Sequence, residues 1–110
     1  MPPALPLLVT TSELIAGRSV QATFGIVTGS VVWSKHFGRD IMAGFKTLVG
    51  GEIRGYTEML VEARGVATSR MIEQASNMGA DAIIGTRFTT SAVMQGMCEV
   101  VAYGTAVKLG

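Results

Sequence analysis

The order of hydrophobic patterns along the chain predicts an α+β domain with a mostly antiparallel sheet. Three observations lead there. Residues from Val20 to Thr28 alternate with a period of two, one long apolar stripe at helical spacing runs from about Thr57 to Met78, and two more strand-like segments follow Gly79. In chain order the elements read strand, strand, short helix, long helix, strand, strand. A chain of 110 residues has room for one such domain.

Leu7 to Thr11 reads as a short strand that ends at the Ala16-Gly17 turn region. Val20, Ala22, Phe24 and Ile26 then share one strand face, with Gln21, Thr23 and Val27 on the other. Gly29-Ser30 is expected to bend this strand before Val31-Val32-Trp33. From Gly38 a short helix is expected, because Ile41, Phe45 and Leu48 recur at i, i+4 and i+7; Gly50-Gly51 stops it.

The main helix is expected from about Thr57 to Met78. Leu60, Ala63, Ala67, Met71, Ala75 and Met78 form its apolar stripe, flanked by Met59, Val66 and Ile72. Glu58, Glu62, Ser69 and Glu73 fall opposite. Thr57 is the expected cap, Glu58 and Glu62 suit the positive end of the helix dipole, and Gly79 supplies the left-handed stop. Gly65 costs about 1 kcal/mol relative to alanine inside a helix, so its place beside Ala63 and Ala67 points to close approach by another backbone.

Asp81 to Thr90 reads as the next strand, with Ile84, Thr86 and Phe88 on one face and Ile83, Arg87 and Thr89 on the other. The last strand, about Met97 to Leu109, is apolar on both faces: Cys98, Val100, Ala102 and Ala106 point one way, and Val101, Tyr103, Val107 and Leu109 the other. A strand apolar on both sides must be covered on both sides. The helix covers one, which leaves the other to a neighbouring subunit.

Composition narrows the function. Hydrophobic residues make up 48% and charged residues 15%, against about 25% charged in an ordinary soluble domain. Disorder is excluded, and a well-hydrated monomer is not expected. Nine Lys or Arg against eight Asp or Glu give a net charge of +1 with the signs interspersed, which argues against nucleic acid as a partner. Cys98 stands alone, so no disulfide forms within a chain, as suits a cytoplasmic protein. The apolar amino terminus has no basic region before Arg18 and is broken by prolines, so it does not read as a signal peptide. No segment reaches the roughly 20 apolar residues needed to span a bilayer, so no membrane partner is expected. Residues 1–7 read as a loose tail and residues 8–110 as one domain.

A longer set of residues resembles a known family. Gly38-Arg39-Asp40-Ile41 with Ala43-Gly44 leads into Gly50-Gly51-Glu52-Ile53, Tyr56-Thr57-Glu58-Met59-Leu60 and Glu62-Ala63-Arg64. Arg70-Met71, Gly79-Ala80-Asp81-Ala82-Ile83-Ile84, Arg87-Phe88 and Ala102-Tyr103-Gly104-Thr105-Ala106-Val107 follow. With Val9-Thr10-Thr11 at the start, this set resembles the YbjQ-like family, uncharacterised bacterial proteins that carry a heavy-metal-binding label. The resemblance implies a dodecin-subunit-like β-α-β-β core with extra short strands that join subunits into a ring, a homopentamer. The Pro-rich extension before Leu8 departs from the family's usual short start. Cys98 also departs, standing where a small residue such as Ser or Ala is expected, so it cannot carry a property common to the family.

Four sets of residues can carry chemistry. Met94, Met97 and Cys98 offer thioethers and a thiolate, which suit a soft metal ion. On one strand Met94 and Cys98 would face one side and Met97 the other, and the plainer reading is that all three fill a subunit interface. His36, four residues before Asp40, is the remaining metal candidate, with no second histidine or CxxC to complete a zinc set. Arg39, Asp40, Glu52 and Tyr56 are the candidate pocket for an anion or small ligand near the start of the short helix; the plainer reading is a capping and salt-bridge cluster. Trp33, Phe37, Tyr56 and Tyr103 could line a flat aromatic site. No P-loop, GxGxxG or nucleophile-base pair is visible, so no catalytic residue is assigned. The expected function is a non-enzymatic homo-oligomeric binding or scaffold protein, with soft or heavy metal as the cofactor that the resemblance implies. The alternative is an oligomeric carrier of an anion or aromatic ligand.

Overall fold

In a computed structural model, residues 7–34, 48–49, 52–94 and 97–110 are described, with the side chains at positions 34, 48–49, 52–56 and 94 excepted. These residues form a four-stranded sheet in the order β1-β5-β6-β2, a separate two-stranded ladder β3-β4, and one helix. The strands are β1 (Leu8–Val9), β2 (Val20–Ser34), β3 (Leu48–Val49), β4 (Glu52–Ile53), β5 (Ala82–Met94) and β6 (Met97–Leu109); the helix α1 is Arg54–Asn77. β1 runs parallel to β5, and the β5-β6 and β6-β2 pairs are antiparallel. The expected α+β class and antiparallel character hold.

α1 begins at Arg54, three residues before the expected start, and follows directly from β4. Thr57 is therefore inside the helix and not its cap, and the first turn carries no acidic residue. The carboxyl end matches the sequence reading. Gly79 has φ of +81°, its N–H donates to the Ser76 carbonyl at 3.0 Å, and the Ala80 N–H donates to the Ala75 carbonyl at 3.1 Å. That pair of bonds is a Schellman stop, and it satisfies carbonyls the helix leaves free. Met78 lies in this turn, beyond the last helical residue, and is exposed, so the apolar stripe ends at Ala75.

Ala63, Ala67, Met71 and Ala75 are fully buried and recur every four residues along the face that α1 lays on the sheet. Beneath them lie Val27 on β2 and Val100, Ala102 and Ala106 on β6, with Ile83 on β5. Gly29 does not bend β2, which runs unbroken to Ser34. A Cβ at Gly29 would overlap the Ala67 carbonyl oxygen and the Met71 amide nitrogen, so its bare backbone lets the helix settle onto the strand. The close approach inferred for Gly65 belongs here instead: Gly65 is exposed and nothing lies within 4 Å of a Cβ placed on it.

Leu48, expected on a helix face, is in β3 and pairs with Ile53, while Val49 pairs with Glu52. The rest of the expected short helix, Gly38 to Thr47, lies outside the described residues, as do Gly50-Gly51 and residues 1–6 of the expected tail.

Register assigns the faces. Gly25, Val27, Gly29, Val31 and Trp33 pair with Ala106, Gly104, Ala102, Val100 and Cys98 and share the helix side. Ile26, Thr28, Ser30 and Val32 pair with Thr105, Tyr103, Val101 and Glu99 on the opposite, helix-free side. Across β6, those four residues also pair with Ile84, Arg87, Thr89 and Ser91 of β5. The register shifts between Ile84 and Arg87, where Gly85 has φ of +61°. This bulge turns Thr86 inward, where it is buried. One end of the helix-free side has cover from within the chain. Ala82, Val107 and Leu109 form a second small core there, closed by Ile15 and Ile84. The sequence reading, which gave that side no cover from its own chain, is corrected at this end only.

The segment that carries Ile15 is tied down by backbone bonds. Arg18 N–H closes a turn onto the Ile15 carbonyl at 3.1 Å, Gly85 N–H donates to the Ser12 carbonyl at 2.9 Å, and Thr86 N–H donates to the Thr10 carbonyl at 3.0 Å. Arg87 Nη1 adds a bond to the Thr11 carbonyl at 2.9 Å.

Candidate functional site

The carboxyl half of β5 and the start of β6 place the soft-ligand candidates. Met94 pairs directly with Met97, whereas Cys98 pairs with Ala92 on one side and Trp33 on the other. An extra residue, Val93, shifts the register between Ala92 and Met94. The backbone of Met94 therefore stands across from that of Met97 on a neighbouring strand, not along one strand with it. Cys98 is a free, half-buried thiol on the helix side. Among the described residues no group of three or more His, Cys, Asp or Glu is placed to hold a metal ion.

His36, Arg39 and Asp40 lie outside the described residues. Glu52 is placed in β4 and Tyr56 in the first turn of α1, which puts their backbones near each other; their side chains are outside the described set. Of the aromatic candidates, Trp33 is on the helix side and Tyr103 on the helix-free side, so these two do not line one pocket. Phe37 is outside the described residues.

The surface that the sequence left to a neighbouring subunit lies on the helix-free side of the sheet and extends onto β2. On the helix-free side Ile26 is 76% exposed, Val32 48% and Tyr103 39%. The signal was present: Ser19 to Ser34 carries no charged residue, which is unusual for a strand at the edge of a sheet. The middle of that edge is closed by the chain itself. Gln74 Oε1 accepts the Thr28 N–H at 2.7 Å, and Arg70 Nη1 donates to the Ser30 carbonyl at 2.6 Å. Arg70 and Gln74 stand four apart on α1, so they reach neighbouring points of the strand from one helix flank.

Among the described residues, no helix is long and apolar enough to cross a membrane.

The arrangement is that of a small α+β protein with one long helix on one side of a four-stranded sheet. A family model described as "Putative heavy-metal-binding" matches residues 7–110, and the chain belongs to this YbjQ family. It is 67% identical over 103 residues to a UPF0145 protein of Photobacterium profundum, covering 94% of this chain and 99% of that one. It is also 62% identical over 104 residues to a UPF0145 protein of Shewanella frigidimarina, covering 94% and 97%. A UPF0145 protein of Thermotoga maritima is 56% identical over 103 residues, with coverage of 94% and 97%. The fold is similar to the crystal structure of a protein of unknown function of the DUF74 family from Pediococcus pentosaceus. The TM-score is 0.60 at 19% identity, over 96% of this chain and 100% of that one.

Proposed function

We propose that this chain is a non-enzymatic, homo-oligomeric binding or scaffold protein that works in the cytoplasm as a ring of dodecin-like subunits. Five copies is the number implied by the family resemblance. Its partner is its own kind, and neither nucleic acid nor membrane. The observation that carries the reading is the uncovered part of the sheet, where Ile26 is 76% exposed in a chain with only 15% charged residues. Exposed apolar side chains on a sheet face that its own chain leaves uncovered point to an interaction site.

Any soft-metal site is completed between copies. One hairpin brings Met94 opposite Met97 and sends Cys98 to the other side of the sheet, so ligands beyond a pair come from a neighbouring subunit. A ring repeats each ligand once per copy, which makes such a set available without a cluster in one chain. Native mass spectrometry of reduced protein, followed by Cu(I) titration, tests both parts. The expected result is an assembly that takes up Cu(I) at micromolar concentration, with uptake lost in Cys98→Ser and assembly retained. An assembly that binds no Cu(I) removes the metal part, and a monomer removes the reading.

A further inference from the structure

We infer that the outer edge of β5, from Phe88 to Ala92, pairs antiparallel with the same edge of a second copy across a two-fold axis at Thr90, joining two four-stranded sheets into one. This contact is separate from the sheet face proposed above. It shares with that reading only that the partner is another copy.

The two halves of β5 differ at their outer edge. From Ala82 to Thr86 the chain covers it. Leu8 and Val9 pair with Ala82 and Ile83, the Thr10 N–H donates to the Ile83 carbonyl, and the Gly85 and Thr86 N–H groups donate to the Ser12 and Thr10 carbonyls. Arg87 Nη1 ends this cover on the Thr11 carbonyl at 2.9 Å. Beyond that point, among the described residues, no strand lies on the outer side of β5.

Register identifies the backbone groups left over. The Thr28 N–H leaves β2 toward Gln74, away from β6, so Thr28 and Tyr103 are a non-hydrogen-bonded pair. The backbone groups of Tyr103 then face β5, where Arg87 is its partner. The next residue and every second one after it turn outward, so Phe88, Thr90 and Ala92 each present an N–H and a carbonyl at the open edge. Phe88 is 46% exposed, and Thr90 and Ala92 are exposed as well. An edge is ordinarily kept from pairing by a charge, a proline or a bulge. None lies between Phe88 and Ala92.

The other edge of the sheet is poorly suited to fill this one, because Gln74 and Arg70 already occupy β2 at Thr28 and Ser30. The β5 edge suits itself. Antiparallel pairing about Thr90 sets Phe88 opposite Ala92 at both ends and Thr90 opposite Thr90 in the centre. Each such pair exchanges both of its N–H···O bonds. A large ring then meets a small methyl, two threonines meet each other, and no like charges are brought together. The register shift after Ala92 ends the match there, since a bulge bends the strand away.

The test compares full-length Thr90→Cys and Val61→Cys, each in a Cys98→Ser background and folded by circular dichroism. Both are oxidised at low micromolar concentration and run on non-reducing gels, beside native mass spectrometry of the reduced wild type. Hydrogen-bonded antiparallel partners hold their Cα atoms about 5.5 Å apart, within disulfide reach. Val61 is 56% exposed on α1 and reports chance collision. The expected result is that Thr90→Cys links into dimers at least tenfold faster than Val61→Cys, and that the wild type has an even number of subunits. A ring of five then occurs as a pair of rings. Equal or slower linking through Thr90→Cys, or an assembly of odd subunit number, overturns the inference and leaves the ring standing. Fast linking with a wild type no larger than a dimer keeps the inference and removes the ring. A wild type of single-chain mass removes both.

Discussion

Gly29 on β2 lies beneath Ala67 on α1 so closely that no side chain fits between them. The relationship fixes how near the helix sits to the sheet, and it explains why the buried stripe of α1 is built from Ala63, Ala67 and Ala75 with Met71 as its one large member. Gly29→Ala should therefore force α1 outward, since the atoms in the way are backbone and cannot rotate aside. Overpacking of this kind costs about 3 kcal/mol. At about 4–8 °C per kcal/mol for a small domain, thermal unfolding should fall by more than about 10 °C.

Gly65 provides the opposite case on the same helix. It is exposed, and a Cβ there meets nothing within 4 Å. Gly65→Ala should raise stability by about 0.5–1 kcal/mol through helix propensity alone. Urea unfolding should show a higher midpoint with an unchanged slope.

The edge of β2 depends on α1 for its two side-chain partners. Removing either by Gln74→Ala or Arg70→Ala should cost about 1 kcal/mol. The uncovered Thr28 N–H and Ser30 carbonyl would then be open to strand addition by another chain. Light scattering during mild heating should show earlier aggregation for the double variant than for the wild type.

Thr86 buries a hydroxyl that has no hydrogen-bond partner among the described residues. Its Oγ1 lies beside the place where a side chain on Gly104 would project. Thr86→Val keeps the shape and removes the unsatisfied group, so it should stabilise the fold by about 1 kcal/mol. A loss of stability on calorimetry would mean that the hydroxyl is satisfied in solution.

Much of this fold was legible because periodicity reports burial directly. The Ala63-Ala67-Met71-Ala75 stripe and the Gly79 stop follow from spacing and from one left-handed residue. The start of α1 was less legible, because Ile53 ends a strand and Arg54 begins the helix with no capping segment between them. Leu48 fits a helical spacing with Ile41 and Phe45, yet it pairs with Ile53, and a three-point pattern cannot separate those outcomes. Gly29 read as a bend because a glycine required for turning and one required for close packing look alike until the neighbouring element is placed. At the candidate site, Met94 and Met97 were first assigned to opposite faces of a single strand. The register instead puts their backbones on two neighbouring strands, paired with each other.

The central claim, that copies of this chain cover one another, is tested most directly by equilibrium ultracentrifugation of reduced protein over a wide dilution range. The account predicts a mass several times 11.5 kDa that persists to low concentration. A compact particle of single-chain mass at every concentration would contradict it.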